Sequence, residues 1–340
     1  MDLSCIEINP ALDNPQICIK VPELKDGSVV KKSPVIYVSQ SGKFCIVYKF
    51  QMKDGTYKAV RVWLKEKEDI QEILDDVNTV SSTLKSINSQ YFVQYDYHPD
   101  GILIKGEWRP MVVMDWCEGD DLKEYVSKHH SEPSLILDLA HKFLEMVKFL
   151  HENNISHGDL QHKNIKIKSD GNIVVLDYDS ICVPGNAGKK EIIKGLPGYQ
   201  LFRVRNSNEC LSPKVDYYSE LVIYVSLLLI AHHPDVWGPE VDANDNILLF
   251  TDEDIANINS PLSLFQKYKN DKEDNFFELV LELQQWFNFG QSIDDFSPLE
   301  KLVDGNWLKG VGESKELTLK PTSEQKPLSM DLKDILKDMI

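Results

Sequence analysis

The chain has 340 residues, 42% apolar and 27% charged, and 37 Lys and Arg against 54 Asp and Glu leave a formal charge of −17. These proportions exclude a disordered, collagen-like or coiled-coil chain, and the length suggests about two compact units. The acidic balance argues against partners that need a basic footprint, namely nucleic acid and an anionic membrane face.

Six cysteines (Cys5, Cys18, Cys45, Cys117, Cys182 and Cys210) lie at wide, irregular gaps with no C-x-x-C pair. This favours reduced thiols and a cytoplasmic setting over a zinc site or a disulfide framework. Met1-Asp2-Leu3-Ser4 lacks the basic-then-apolar pattern of a signal peptide. The most apolar run, Leu221 to Ala231, is shorter than the about 20 residues of a bilayer span and is expected as a buried helix.

In chain order, residues 1–34 carry Pro10, Pro15 and Pro22 and little periodicity, and are expected as an N-terminal extension with one or two short strands. Val35–Val38 and Phe44–Tyr48 are β-branched and aromatic, and Gln40-Ser41-Gly42-Lys43 joins them as a hairpin. Asp54-Gly55 marks a second turn before the alternating strand Tyr57–Trp63. Ile70, Ile73, Leu74, Val77, Val80, Leu84 and Ile87 then recur at helical spacing, predicting a helix over 68–87. Strands follow around Phe92–Tyr97, Ile102–Lys105 and Met111–Trp116, so 35–117 forms a small α+β unit. Residues 118–303 are mainly helical, with one long helix ending near His151 and helices again from Asp216. The tail, 304–340, ends in an amphipathic helix whose apolar stripe of Leu332, Ile335, Leu336 and Met339 is either docked on the fold or a surface for a partner or for self-association.

One stretch carries chemistry. His157-Gly158-Asp159-Leu160-Gln161-His162-Lys163-Asn164 is followed by Val174-Val175-Leu176-Asp177-Tyr178-Asp179. Phosphoryl transfer needs a carboxylate beside the attacking hydroxyl, and a second carboxylate with an amide oxygen to hold Mg²⁺ on the nucleotide phosphates. Asp159, Asn164 and Asp177 offer those oxygens at separations of five and thirteen residues, and the strand Ile173–Leu176 delivers Asp177 to the site edge.

The stretch resembles the catalytic loop and metal-binding Asp of the protein-kinase fold, H-R-D-L-x-x-x-N followed by D-F-G. Its variant, H-G-D-L-Q-H-x-N with L-D-Y-D, is most similar to a group of bacterial kinase-like proteins, and also to aminoglycoside and choline phosphotransferases. The resemblance covers roughly residues 35–303 and implies a bilobal α+β fold using ATP and Mg²⁺. By it, Ser41-Gly42-Lys43-Phe44 occupies the glycine-rich loop, with one glycine where the pattern has three. Ala59-Val60-Arg61 stands where V-A-I-K has its lysine, so Arg61 is expected on the phosphates. The helix 68–87 supplies its acidic partner from among Glu72, Asp75 and Asp76. Met114, Asp115 and Cys117 fall at the hinge that contacts adenine, and Asp121 near the ribose. Asp216-Tyr217-Tyr218-Ser219 resembles the D-x-W-S whose Asp braces the catalytic loop.

Other departures concern the loop itself. Gly158 replaces the arginine that pairs with an activation-loop phosphate in regulated kinases, so switching by phosphorylation within 180–212 is not expected. Asp179 replaces the glycine of D-F-G and is expected as a further Mg²⁺ ligand beside Asn164 and Asp177. The A-P-E region has its nearest counterpart in Gly198–Arg203. His157 and His162 are expected as structural. The function implied first is a protein serine/threonine kinase acting on a protein substrate. A nucleotide-binding pseudokinase or regulatory module, and a small-molecule kinase, are the alternatives.

Overall fold

The computed structural model describes residues 2–42, 44–66, 70–257, 264 and 277–303. Lys43, the start of the expected helix at 68–69 and the tail 304–340 with its apolar stripe lie outside the described residues. The architecture is α+β, a curled antiparallel sheet beside a helical lobe.

Two short helices, α1 (Cys5–Asp13) and α2 (Pro15–Cys18), precede β1 (Ser28–Val29), β2 (Lys31–Ser33) and β3 (Ile36–Tyr37). The main sheet continues with β4 (Ser39–Ser41), β5 (Cys45–Gln51), β6 (Tyr57–Trp63), β7 (Tyr95–Ile104) and β8 (Glu107–Asp115), with α3 (Gln71–Ile87) inserted after β6. It is six-stranded, in the order β1-β5-β6-β8-β7, with β4 also on β5. The expected hairpin is present as β4 and β5, but Ile36–Tyr37 pairs with Lys31–Ser33 instead. The strands expected at 92–97 and 102–105 are one strand, β7, whose register shifts between His98 and Ile102. Gly101 permits that irregularity, because a Cβ there would lie 2.8 Å from the Met111 Cβ on β8.

Alternation on β5 and β6 sends side chains to two faces, and both are dry. Cys45 and Trp63 face α3, through Ile73, Leu74, Val80 and Leu84. Ile46, Tyr48, Phe50, Val60 and Val62 face the other way, onto Ile8, Ala11, Leu12 and Leu24. Residues 2–34 are therefore a cap that completes the small lobe, and not a separate extension; β1 is a strand of its sheet. Leu12 is 0% exposed and Ile6 is 83% exposed. Leu12→Ala is expected to cost about 2–5 kcal/mol in urea unfolding, and Ile6→Ala less than about 0.5 kcal/mol. Equal small losses would refute the cap.

The large lobe begins at β9 (Asp120–Asp121) and α4 (Leu122–His129), whose N-cap Asp121 forms a capping box with Glu124. Helix α5 (Pro133–Glu152) starts with proline at its first turn. β10 (Ile165–Ile167) and β11 (Ile173–Val175) complete a three-stranded sheet with β9. Helices α6 (Phe202–Ser207), α7 (Tyr217–His232), α8 (Pro239–Ala243), α9 (Asp252–Ala256), α10 (Phe277–Phe289) and α11 (Leu299–Leu302) follow. Residues 218–231 of α7 are all buried, as a helix apolar all round must be. Among the described residues no helix is long and apolar enough to cross a membrane.

Candidate active site

The loop between α5 and β10 is fastened from beneath. Asp216, 0% exposed at the start of α7, accepts the backbone N–H of His157 and, at 3.0 Å, that of Gly158. His157 Nε2 donates to the Leu176 carbonyl at 2.7 Å, tying the loop to the strand end that carries Asp177. Gly158 stands at φ +79°, where a Cβ would meet the Ser180 oxygen at 2.3 Å. The glycine that replaces the family's arginine is thus required by a left-handed backbone and a close approach.

Asp159 is held on all sides. Gln161 Nε2 donates to both its oxygens, at 3.0 and 2.9 Å. The Leu196 N–H donates to Oδ1 at 3.0 Å, and Asn164 Nδ2 to its carbonyl at 2.8 Å. Burial raises the pKa of its carboxyl, with His157 and Gln161 drawing it back. Asn164 commits Nδ2 to Asp159, so its amide oxygen is the atom left for a cation.

Asp177 follows β11 in a left-handed conformation, φ +67°, uncommon for a residue with a side chain. Its side chain is 53% exposed, and Oδ1 lies 3.7 Å from Arg61 Nη1. β11 is anchored by the Val175 N–H, which donates to the Tyr91 carbonyl at 2.9 Å. The Tyr178 hydroxyl donates to the Val175 carbonyl and accepts the Val93 N–H, each at 2.8 Å.

Arg61 lies on β6 with a side chain 8% exposed, its guanidinium 5.4 Å from the Trp63 ring centre. Burial alone would lower its pKa, but the nearby Asp179 and Asp177 carboxylates raise it and keep it charged. Its Nη2 pairs with Asp179, whose side chain is 13% exposed. This corrects two expectations. None of the three α3 carboxylates pairs with Arg61: Asp75 accepts from Gln71, Asp76 pairs with Lys189, and Glu72 lines a cavity together with Arg61 and Asp179 without an ion pair to Arg61. Asp179, expected as a metal ligand, turns to Arg61 instead.

The remaining expected contacts are spread over β4, β6, β8 and the separate sheet that holds β9. Ala59 on β6 stands opposite Met114 on β8. Asp115 binds Lys58 at 2.8 Å, and the adjacent Trp116 N–H donates to the Tyr57 carbonyl at 3.2 Å, so this hinge is tethered to β6. Cys117 is half-buried, and burial raises its thiol pKa. Asp121, expected near the ribose, uses Oδ1 as the cap of α4, accepting Glu124 N–H at 2.8 Å. Ser41 ends β4, and the Gly42 N–H is committed to the Cys45 carbonyl at 2.8 Å, so that amide is not turned to a phosphate. Phe44 packs on the main core.

Three residues escaped the sequence reading. Glu191, Lys194 and Arg205 are scattered in sequence, yet Arg205 Nη2 lies 2.6 Å from Glu191 Oε1 and donates to the Gly158 carbonyl at 2.9 Å. Lys194 donates to the Arg205 carbonyl at 2.6 Å. No local pattern announces a buried charge pair of this kind. Arg203, in the counterpart of A-P-E, clamps the end of α10 by donating to the carbonyls of Gly290 and Trp286 at 2.9 and 3.0 Å.

A family model for the protein kinase domain matches residues 40–286. The chain belongs to the protein kinase family. Among curated relatives, the yeast serine/threonine-protein kinase KIC1 (Saccharomyces cerevisiae) is 23% identical over 201 residues, 58% of this chain and 18% of its own length. Human serine/threonine-protein kinase ULK3 is 26% identical over 169 residues, 47% of this chain and 34% of its own. Yeast serine/threonine-protein kinase RAD53 is 26% identical over 222 residues, 63% of this chain and 24% of its own. This kinase chain therefore spans about a third or less of these relatives.

Proposed function

We propose that this chain is a protein serine/threonine kinase that transfers the γ-phosphoryl group of Mg·ATP to a protein hydroxyl. The observation that carries the reading is the setting of Asp159. Gln161, the Leu196 amide and Asn164 fix its carboxylate, and the Asn164 carbonyl accepts the N–H of Leu176, the residue before Asp177, at 2.8 Å. The H-G-D-L-Q-H-x-N and L-D-Y-D motifs support the bacterial kinase-like type, and free thiols at all six cysteines support a reducing, cytoplasmic setting.

The oxygen donors fit Mg²⁺. Among the described residues no three His, Cys, Asp or Glu side chains converge as a metal site, but Mg²⁺ on a nucleotide needs only one or two carboxylates beside the phosphates. Asp177 and the Asn164 amide oxygen are the residues that would hold it. When bound, the ion neutralises charge on the transferring phosphate. Asp159 orients the acceptor hydroxyl and takes its proton, Arg61 steadies phosphate oxygens, and Ala59, Met114 and the backbone of Asp115 and Cys117 receive the base. Rate enhancement then comes from positioning and electrostatics.

A second reading, a nucleotide-binding regulatory module, draws support from the Gly42 amide being engaged inside its own hairpin. Incubation with γ-labelled ATP, Mg²⁺ and a Ser/Thr/Tyr peptide library, beside Asp177→Ala, separates the two. Label on serine or threonine that disappears in the variant is expected. Stabilisation by ATP without any transfer would favour the regulatory module, and transfer only to small alcohols would favour a small-molecule kinase.

A further inference from the structure

Two departures from the family pattern stand far apart in sequence: arginine at 61 where the pattern has lysine, and aspartate at 179 where it has glycine. In the structure they touch. We infer that they are one coupled replacement, in which Asp179 positions Arg61 for the nucleotide in place of a carboxylate from helix α3. The inference rests on the kinase reading above and names the residue that sets its phosphate-binding cation.

The geometry excludes the described acidic side chains of α3 from the task. Asp75 and Asp76 are engaged with Gln71 and Lys189, and Glu72 makes no ion pair with Arg61. Asp179 is nearly enclosed, so its carboxylate needs a buried cation, and Arg61 is that cation. Guanidinium chemistry suits the arrangement. A planar fork presents separate N–H groups, so Nη2 holds Asp179 while Nη1 faces Asp177 at 3.7 Å. A lysine ammonium is a compact point charge without that fork. Because Asp179 lies two residues after Asp177, the pair also locks the cation to the strand end that carries Asp177. Arg61 is thereby positioned from the large lobe, and the placement of α3 does not govern it.

The test compares Asp179→Asn, Asp179→Glu and Glu72→Gln with the wild type. Titration with a fluorescent ATP analogue gives Kd, steady-state kinetics give KM for ATP and kcat, and ¹⁵Nε-detected NMR follows the Arg61 guanidinium. Asp179→Asn is expected to weaken nucleotide binding and raise KM about tenfold or more, since one partner of a buried charge pair is lost. Asp179→Glu restores most of it. Glu72→Gln changes Kd less than about threefold, well within one factor of ten, and leaves the Arg61 Nε signal in place, whereas Asp179→Asn shifts it. An Asp179→Asn protein that binds nucleotide like wild type overturns the inference, as does a Glu72→Gln protein that fails as badly. A wild type that binds no nucleotide overturns the kinase reading, and this inference with it.

Discussion

Asp159→Asn is expected to lower kcat by about 10²–10⁴-fold while changing nucleotide affinity less than about tenfold. The carboxylate does not hold the nucleotide; its neighbours are Gln161, Asn164 and the Leu196 amide, all of which present N–H groups to it. Asparagine keeps the shape and removes the base. It also turns an NH₂ group toward donors that previously met an oxygen, so the side chain is misaligned as well as neutral. Stopped-time phosphate transfer and a fluorescent-nucleotide titration on the same preparation check both halves. A variant with unchanged kcat would remove Asp159 from the chemistry.

Arg205→Met is expected to cost about 3–5 kcal/mol of stability, because it leaves a buried carboxylate without its cation. Glu191 has a side chain 0% exposed and Arg205 one 2% exposed, 2.6 Å apart. Burial pushes the Glu191 carboxyl upward, and Arg205 and Lys194 draw it back. The double variant Glu191→Leu with Arg205→Met buries no charge and is expected to lose less than the Arg205 single variant. Urea unfolding of the wild type and three variants closes the cycle. A single-variant loss below about 1 kcal/mol, the size of an exposed pair, would refute it. Activity is expected to fall too, because Arg205 also holds the carbonyl of Gly158, one residue before Asp159. The charge that meets the catalytic loop here is the Arg205 guanidinium, held by a carboxylate fixed in the chain, Glu191.

Much of this was legible from local pattern. Strand alternation in 57–63 and the helical period over 68–87 depend on chain neighbours, and among the described residues the strand spans Tyr57–Trp63 and the helix Gln71–Ile87. The loop from His157 to Asn164 is equally local: Asp159, Gln161 and Asn164 bond to one another across two to five residues. Contacts between distant segments were not legible in local pattern, and the Asp216 brace of the loop was reached only through resemblance. The expectation that α3 would pair with Arg61 came from resemblance, and the residue that does pair is 118 positions away. The cap formed by residues 2–34 was missed because short helices broken by prolines show little period, although Ile8, Ala11 and Leu12 bury one face completely.

Residue order and spacing were sufficient for the strands of 45–63, the helix of the small unit and the strand that leads into Asp177, because torsional preference and hydrophobic period act over a few residues. Tertiary packing alone selected Asp179 over Glu72 for Arg61 and joined Glu191 to Arg205. Each of these is a choice among several chemically equivalent groups. Burial decides it, since a charge or amide removed from water takes the partner within reach.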